Sequence, residues 1–254
     1  MKTKCLIAAT ILVLIAASLG LTEEMAARQI IEKADDLMRG ATSYSELTMK
    51  VHSKHFDRAV GMKVWTQDRD KAFILVMSPA KDRGVAFLKQ DREMWNYLPN
   101  VERTIKIPPS MMSQSWMGSD FTNNDLSRAD TMIVDYDHHL AGTETIDGAE
   151  CWKLELITKP DAPVVWSKIV TWVQKDNMVM RKTEYYDEDG RVARTMETSK
   201  IVKTKDGKLV ASYWKMINHK KPGNYTEMIY DEVEFDVAIP AGTFTKRNLT
   251  RGVR

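Results

Sequence analysis

From residue 44 onward, apolar and polar side chains alternate along most of the chain. Leu47, Met49 and Val51 are separated by polar residues, which is the two-residue period of a strand with one buried face. This pattern predicts a first strand from about residue 44. Further strands are predicted over about 58–67, 71–78, 84–90, 92–98, 131–140, 150–158, 166–175, 178–187, 191–204, 208–218 and 225–237.

Short turns separate many of these strands. Asp147-Gly148, Asp189-Gly190 and Asp206-Gly207 each lie between alternating runs, which is a strong hairpin signal. Hairpins make neighbouring strands antiparallel. We therefore predict a mainly β, single antiparallel sheet of about 10–12 strands. A sheet of this size must curl or close, and it then encloses an apolar interior.

One amphipathic helix precedes the strands. Ala27, Ile30, Ile31, Ala34 and Leu37 recur at helical spacing, and Arg39-Gly40 is a typical helix end. The apolar face requires a partner surface. The helix either packs on the core like any other helix or plugs the mouth of the curved sheet, and the sequence leaves both open.

Two predicted strands are apolar on both faces. Residues 72–77 form one continuous apolar run, and residues 164–173 contain another. Such strands are covered on both sides. We expect the covers to be the N-terminal helix and the apolar loop described next.

A proline-punctuated loop carries an unusual number of large apolar side chains. Pro108 and Pro109 end strand pairing, and Met111, Met112, Trp116, Met117 and Phe121 follow. Large apolar residues on a loop indicate that it covers an apolar surface. The loop is either a movable lid over the sheet or a rigid connection packed on it.

The first twenty residues have the features of a secretion signal. Lys2 and Lys4 precede an apolar run, and Ser18 and Gly20 allow cleavage before Leu21. An uncleaved membrane anchor is the alternative. We predict a signal peptide at 1–20, a single lipid-binding domain at 21–254, and a soluble periplasmic protein.

The charge balance argues against nucleic-acid binding, and the cysteine content predicts a structural rather than a reactive thiol. The chain has 37 Lys+Arg and 35 Asp+Glu, and removal of Lys2 and Lys4 leaves 35 of each. A neutral protein offers no electrostatic case for nucleic-acid binding. After cleavage Cys151 is the remaining cysteine, and its apolar setting predicts a buried structural thiol.

The sequence contains little that points to catalysis. Asp135, Asp137 and His139 would share one face of a strand, but no second group of metal ligands lies nearby. No nucleophile elbow, zinc-protease motif, P-loop or dinucleotide fingerprint occurs. We predict neither an enzyme nor a cofactor or metal site.

Two motifs around the apolar loop resemble a known family. Trp95-Asn96-Tyr97-Leu98-Pro99 and Gly118-Ser119-Asp120-Phe121, with Arg103 between them, are similar to segments of the LolA-like outer-membrane lipoprotein-sorting proteins. The order of signal peptide, helix and long β-chain is also similar. The resemblance implies a strongly curved, incomplete β-barrel with the N-terminal helix and a short helical lid over its open side.

The same resemblance implies a carrier of lipid or lipoprotein acyl chains between the inner and outer membranes. It also implies a resistance-nodulation-division (RND) transporter of the inner membrane as a partner, with transient membrane contact. A sensor or adaptor of the same fold that regulates a membrane protein is the alternative. The candidate ligand-binding residues are Trp95, Tyr97, Leu98, Met111, Met112, Trp116, Met117 and Phe121, and the candidate head-group or partner contacts are Arg103, Lys106 and Arg128.

Overall fold

The computed structural model describes residues 26–127 and 131–252. The expected signal peptide and Arg128 lie outside these residues. Among them, thirteen strands form one antiparallel sheet. The strands are β1 Thr42–His52, β2 Asp57–Gln67, β3 Lys71–Ser78, β4 Ala86–Gln90, β5 Glu93–Leu98, β6 Arg103–Lys106, β7 Tyr136–Ile146, β8 Ala149–Thr158, β9 Lys168–Gln174, β10 Met180–Tyr186, β11 Val192–Lys203, β12 Leu209–Asn218 and β13 Tyr225–Phe235.

Helices are few and short in the described ranges. Helix α1 covers residues 26–37. Helices α2 (Asn123–Ser127) and α3 (Thr131–Val134) lie between β6 and β7, and α4 (Lys246–Arg251) follows the last strand. Single 3₁₀ turns occupy Pro99–Val101 and Pro109–Met111. No helix in this part of the chain is long and apolar enough to cross a bilayer.

The strand order shows that the sheet is open, because its two end strands do not pair with each other. The strands run β6-β5-β4-β3-β2-β1-β13-β12-β11-β10-β9-β8-β7, so β6 and β7 are the two edges. These edges are neighbours in sequence. The chain that joins them must therefore cross the open side of the sheet, and this connection contains the apolar loop. The expected incomplete barrel is confirmed.

The sheet is strongly curved. Ile74 of β3, Met196 of β11 and Met228 of β13 line the same cavity, although many strands separate them in the sheet order. Two apolar clusters lie on the concave side. One lies on β1–β5 and includes Met49, and the other lies on β8 and β9 and includes Leu154.

Helix α1 packs into the second of these clusters. Ala27, Ile31 and Ala34 are buried there beside Tyr136 and Ile169. The predicted apolar face of the helix is therefore confirmed, and the helix fills one half of the concave side. The other half remains open as a cavity.

Helix α4 covers part of the convex side of the sheet, and it was not predicted from the sequence. Leu249 of α4 is buried against Phe73, Leu88 and Trp95. We expected α1 and the loop to cover both faces of β3, but α4 covers its outer face. The amphipathic signal of α4 is weak because one turn and a half of helix shows little periodicity.

Two local assignments differ from expectation. Residues 131–134 form helix α3, whereas a strand was predicted. Residues 103–106 form β6, where no strand was predicted, and the sheet accordingly has thirteen strands rather than about 10–12. All four residues of β6 are exposed, so no apolar alternation marks this edge strand.

Candidate functional site

A cavity of about 320 Å³ lies on the concave side of the sheet. Its walls come from one face of β1–β5 and β10–β13, from α1, and from the connection between β6 and β7. Protein pockets for small molecules typically span about 300–1,000 Å³ and are mostly apolar. This cavity is at the lower end of that range.

Methionine dominates the apolar lining. Among the described residues, six methionines line the cavity. One follows the end of α1 and five lie on strands, and none belongs to the apolar loop. They are Met38, Met62, Met94, Met180, Met196 and Met228. Flexible methionine side chains with polarizable sulfur adapt to apolar partners of variable shape.

Aromatic rings complete the apolar wall. Phe87, Trp214 and Tyr230 line the cavity from the sheet, and the Trp214 and Tyr230 rings lie 5.7 Å apart. Burial raises the pKa of Tyr230 to about 12, so its hydroxyl remains neutral at physiological pH. The sheet side of the cavity is therefore apolar apart from neutral hydroxyl groups and the rim described below.

Residues 108–127, hereafter the lid, close one end of the cavity. Trp116 and Phe121 line the cavity from the lid, as does Leu126. Trp116 is 2% exposed, and its ring meets the ring of Phe87 edge-on at 5.4 Å. The sequence prediction that this loop covers an apolar surface is therefore confirmed for these residues.

The turn after Trp116 is held by its own hydrogen bonds. The backbone N–H of Trp116 donates to the carbonyl of Phe121 at 2.8 Å, and the Ser119 hydroxyl donates to the carbonyl of Trp116 at 2.7 Å. Met117 and Gly118 both have positive φ, +52° and +79°. A left-handed backbone favours glycine, which accounts for Gly118 at this position.

A buried carboxylate fastens the lid to the sheet. Asp120 accepts hydrogen bonds from the Asn218 amide at 3.0 Å and the Thr226 hydroxyl at 2.8 Å. Asp120 is 7% exposed. Hydrogen bonds to a charged group are stronger than those between neutral groups. The acidic residue of the Gly-Ser-Asp-Phe segment is thus an anchor for the lid.

A capping box starts the short helix of the lid. The Thr122 hydroxyl accepts from the backbone N–H of Asp125 at 3.2 Å, and the Asp125 carboxylate accepts from the backbone N–H of Thr122 at 2.7 Å. This reciprocal pair is the T-x-x-D signature of a helix start. Thr122 and Asp125 carry this signal in the sequence itself, and it was not among the predictions above.

A charged rim lies at the opposite end of the cavity, beside the β2–β3 turn. Asp35 accepts two hydrogen bonds from Arg39, at 2.8 and 2.9 Å, and one from Arg69 at 3.0 Å. Burial opposes ionisation of Arg69, but Asp35 and Asp36 outweigh it and raise the pKa of this guanidinium. Lys89, 5% exposed, donates to the backbone carbonyl of Arg69.

The predicted ligand-binding residues divide between the two faces of the sheet. Trp95 and Tyr97 lie on the convex face, in the cluster that α4 covers. Contrary to the prediction, they do not line the cavity. Met94, one residue away, lines the cavity instead. Strand alternation sends neighbouring residues to opposite faces, and the sequence does not say which face is enclosed.

The remaining predicted residues lie around the lid and the β6 edge. Met117 packs against the cluster on β1–β5, whereas Met111 is 41% exposed and Met112 is half-buried. Leu98 is also half-buried. None of these four residues forms the cavity wall, whereas methionines of the strands do.

The predicted head-group contacts are separate from the charged rim. Arg103 and Lys106 are exposed on edge strand β6, and Lys106 forms an ion pair with Glu93. The rim residues Asp35, Arg39 and Arg69 were missed. Arg39 was read as a helix end, and only the fold brings it to Arg69.

Two further sequence predictions concern reactive groups. Cys151 is fully buried as expected, and burial raises the pKa of its thiol. In the described ranges, no group of three or more His, Cys, Asp or Glu residues could hold a metal ion. His138 is 1% exposed, and its Nε2 lies 2.8 Å from the carbonyl oxygen of Met132.

Comparison with known proteins identifies the family. A family model described as "Uncharacterized protein" matches residues 68–251. The chain belongs to this family. No curated protein matches the sequence.

Three solved structures share the fold. A DUF1329 family protein from Desulfovibrio piger is 26% identical, with a TM-score of 0.80 over 89% of this chain and 99% of that one. An outer membrane lipoprotein-sorting protein domain from Vibrio parahaemolyticus is 24% identical, with a TM-score of 0.78 over 90% and 100% of the two chains. A LolA superfamily protein from Nitrosomonas europaea is 24% identical, with a TM-score of 0.71 over 87% and 98%. This family member therefore has a LolA-like fold, as the sequence resemblance implied.

Proposed function

We propose that this protein is a periplasmic carrier that holds lipid or lipoprotein acyl chains in its cavity and moves them between the inner and outer membranes. The observation that carries the proposal is the methionine-rich cavity under the lid. Transfer of an acyl chain from water into such a space is favourable by about 0.8 kcal/mol per buried CH₂.

The distribution of polarity supports an amphiphilic cargo. The centre of the cavity is apolar, while Asp35, Arg39 and Arg69 provide charged groups at one end. An acyl chain would occupy the centre. Charged groups are costly to bury without partners, so a charged part of the cargo would lie at the rim or outside the cavity.

The lid supports a carrier that opens and closes. It bridges the two unpaired edges of the sheet, so a movement of residues 108–127 would open the cavity without breaking strand pairing. At about 320 Å³ the cavity is small for a protein pocket. A cargo with several acyl chains would require the lid to move outward.

Exposed groups near β6 are proposed contacts with a head group or a partner. Arg103 and Lys106 lie on this edge strand, and Arg128 follows α2 in the sequence. The inner-membrane transporter of the RND type belongs to the same proposal and rests on the sequence resemblance. Periplasmic export predicts that the mature protein begins at Leu21, which N-terminal sequencing of the exported protein tests.

Lipid analysis tests the carrier function directly. The full-length gene is expressed with export, and the purified protein is extracted with organic solvent for mass spectrometry. We expect an acyl lipid in stoichiometric amount, and after its removal we expect saturable binding of a fluorescent fatty acid. A protein that yields no lipid and does not bind the fluorescent fatty acid would refute a carrier role.

A further inference from the structure

The indole N–H of Trp116 is buried without an acceptor. The residue is 2% exposed, and its Nε1 has no hydrogen-bond partner among the described residues. Nearly all buried polar groups in proteins are paired, because an unpaired N–H forfeits its hydrogen bond to water. The protein fold by itself leaves this donor unexplained.

The position of the Trp116 ring is fixed. Its backbone is held on both sides by hydrogen bonds to Phe121 and Ser119, at 2.8 and 2.7 Å. The ring packs edge-on against Phe87, with an interplanar angle of 64°. The indole N–H is therefore held in a buried position.

A second tryptophan on the same cavity provides a comparison. Trp214 also lines the cavity, but its indole N–H donates to the carbonyl of Ala211 at 2.9 Å. Both rings line the cavity. They differ in that the donor of Trp214 is satisfied within the protein and that of Trp116 is not.

We propose that the Trp116 N–H donates a hydrogen bond to an acyl carbonyl oxygen of the cargo. The neighbours of Trp116 in its buried cluster are apolar, among them Leu47, Phe87 and Met94. A carboxylate would be strongly disfavoured there, whereas a neutral ester or amide carbonyl needs one donor. The cavity would therefore distinguish acylated molecules from plain hydrocarbon chains. This inference rests on the proposed carrier function.

The test compares two probes on three proteins. The probes are a long-chain fatty acid methyl ester and an alkane of the same number of heavy atoms, each competing with a fluorescent fatty acid on delipidated protein. The proteins are wild type, Trp116→Phe and Trp214→Phe. Because the alkane differs from the ester in hydrophobicity as well, the quantity of interest is the ratio of the two affinities.

We expect Trp116→Phe to lower the ester-to-alkane affinity ratio by about 5- to 10-fold, which corresponds to loss of one hydrogen bond. Trp214→Phe should leave the ratio unchanged, although both affinities can fall. An unchanged ratio in Trp116→Phe, or an equal fall in Trp214→Phe, would overturn the inference and leave the carrier function intact. If the methyl ester does not bind the wild type, the inference fails, whereas the carrier function fails only if the fluorescent fatty acid does not bind either and no lipid co-purifies.

A measurement on the wild type covers the case in which Trp116→Phe does not fold. In protein labelled with ¹⁵N-tryptophan, the ester should move one indole N–H proton downfield, and the alkane should not. Equal spectra with the two probes would overturn the inference.

Discussion

Asp120 and Thr226 exchange two hydrogen bonds between the lid and the centre of the sheet. The Thr226 hydroxyl donates to the Asp120 carboxylate at 2.8 Å and accepts from the Asp120 backbone N–H at 2.9 Å. The two residues are 106 positions apart in sequence. A lid that is to open over the cavity must break this link, which sets the stability of the closed state.

Removal of this link should loosen the lid. Asp120→Ala leaves the buried donors of Thr226 and Asn218 without acceptors, and we expect the free energy of unfolding to fall by about 3 kcal/mol. Urea denaturation measures this loss, and hydrogen exchange should show faster exchange of amides in residues 115–126. Glu188→Ala, at an exposed site, should change stability by less than about 0.5 kcal/mol. Unaltered lid exchange in Asp120→Ala would contradict the anchor role.

Filling the cavity should exclude cargo. Ala72 of β3 lines the cavity and is half-buried, so Ala72→Trp would place an indole ring in the space proposed for an acyl chain. We expect the affinity for a fluorescent fatty acid to fall roughly tenfold or more, since about 1.4 kcal/mol corresponds to a factor of ten. Ala59→Trp, on an exposed position of β2, is the matched control and should bind normally. Equal binding by both variants would place the cargo elsewhere.

Helix α4 should contribute to stability and not to cargo binding. Leu249→Ala opens space beside Phe73 and Trp95 on the convex face, and we expect a loss of about 2–4 kcal/mol. Leu209→Ala, at a position 40% exposed, should cost less than about 0.5 kcal/mol. Fatty acid affinity of folded Leu249→Ala should match that of wild type. If Leu249→Ala lost fatty acid affinity without unfolding, the convex cluster with Trp95 would be part of the binding site.

Glu227 should make the stability of the sheet dependent on pH. Burial opposes ionisation of this carboxyl, but hydrogen bonds from Tyr213 and His52 outweigh it and lower the pKa of Glu227 below 4.5. A lowered folded-state pKa stabilises the fold above the unfolded value, and this contribution disappears as the pH falls through the folded value.

Glu227→Gln should therefore reduce the free energy of unfolding at pH 7, by about 1 kcal/mol, and have little effect near pH 3. Urea titrations at the two pH values measure the difference. Glu197→Gln, on the exposed side of β11 in the same cross-strand row, serves as control and should show no such pH dependence. A constant effect of Glu227→Gln from pH 3 to pH 7 would show that its charge does not matter.

Local signals made most of the strands predictable. Alternation such as Leu47, Met49 and Val51, together with Asp-Gly turns, depends on residues close in sequence. The errors fall where local signals are weak or ambiguous. Met132, Ile133 and Val134 form a short apolar run, which fits a strand or a buried helical turn equally well.

The candidate site was predictable only in part. Trp116 and Phe121 stood out because large apolar residues on a loop require a partner surface, and both reach the cavity. The strand methionines were hidden among ordinary core positions. Their position on the cavity appears only in the fold, where Met62 of β2 and Met196 of β11 line the same wall.

By itself, the sequence determined that the chain forms a large antiparallel sheet with an amphipathic helix and an apolar connecting loop, because hydrophobic periodicity and turn residues act over a few positions. The tertiary structure decided which face of each strand is enclosed. Pairing of β1 with β13 joins the two halves of the sheet, and both halves line one cavity. Met94 lies on the face that lines this cavity, and Trp95 lies on the opposite face, under α4. That choice depends on contacts between residues far apart in sequence, which no local pattern records.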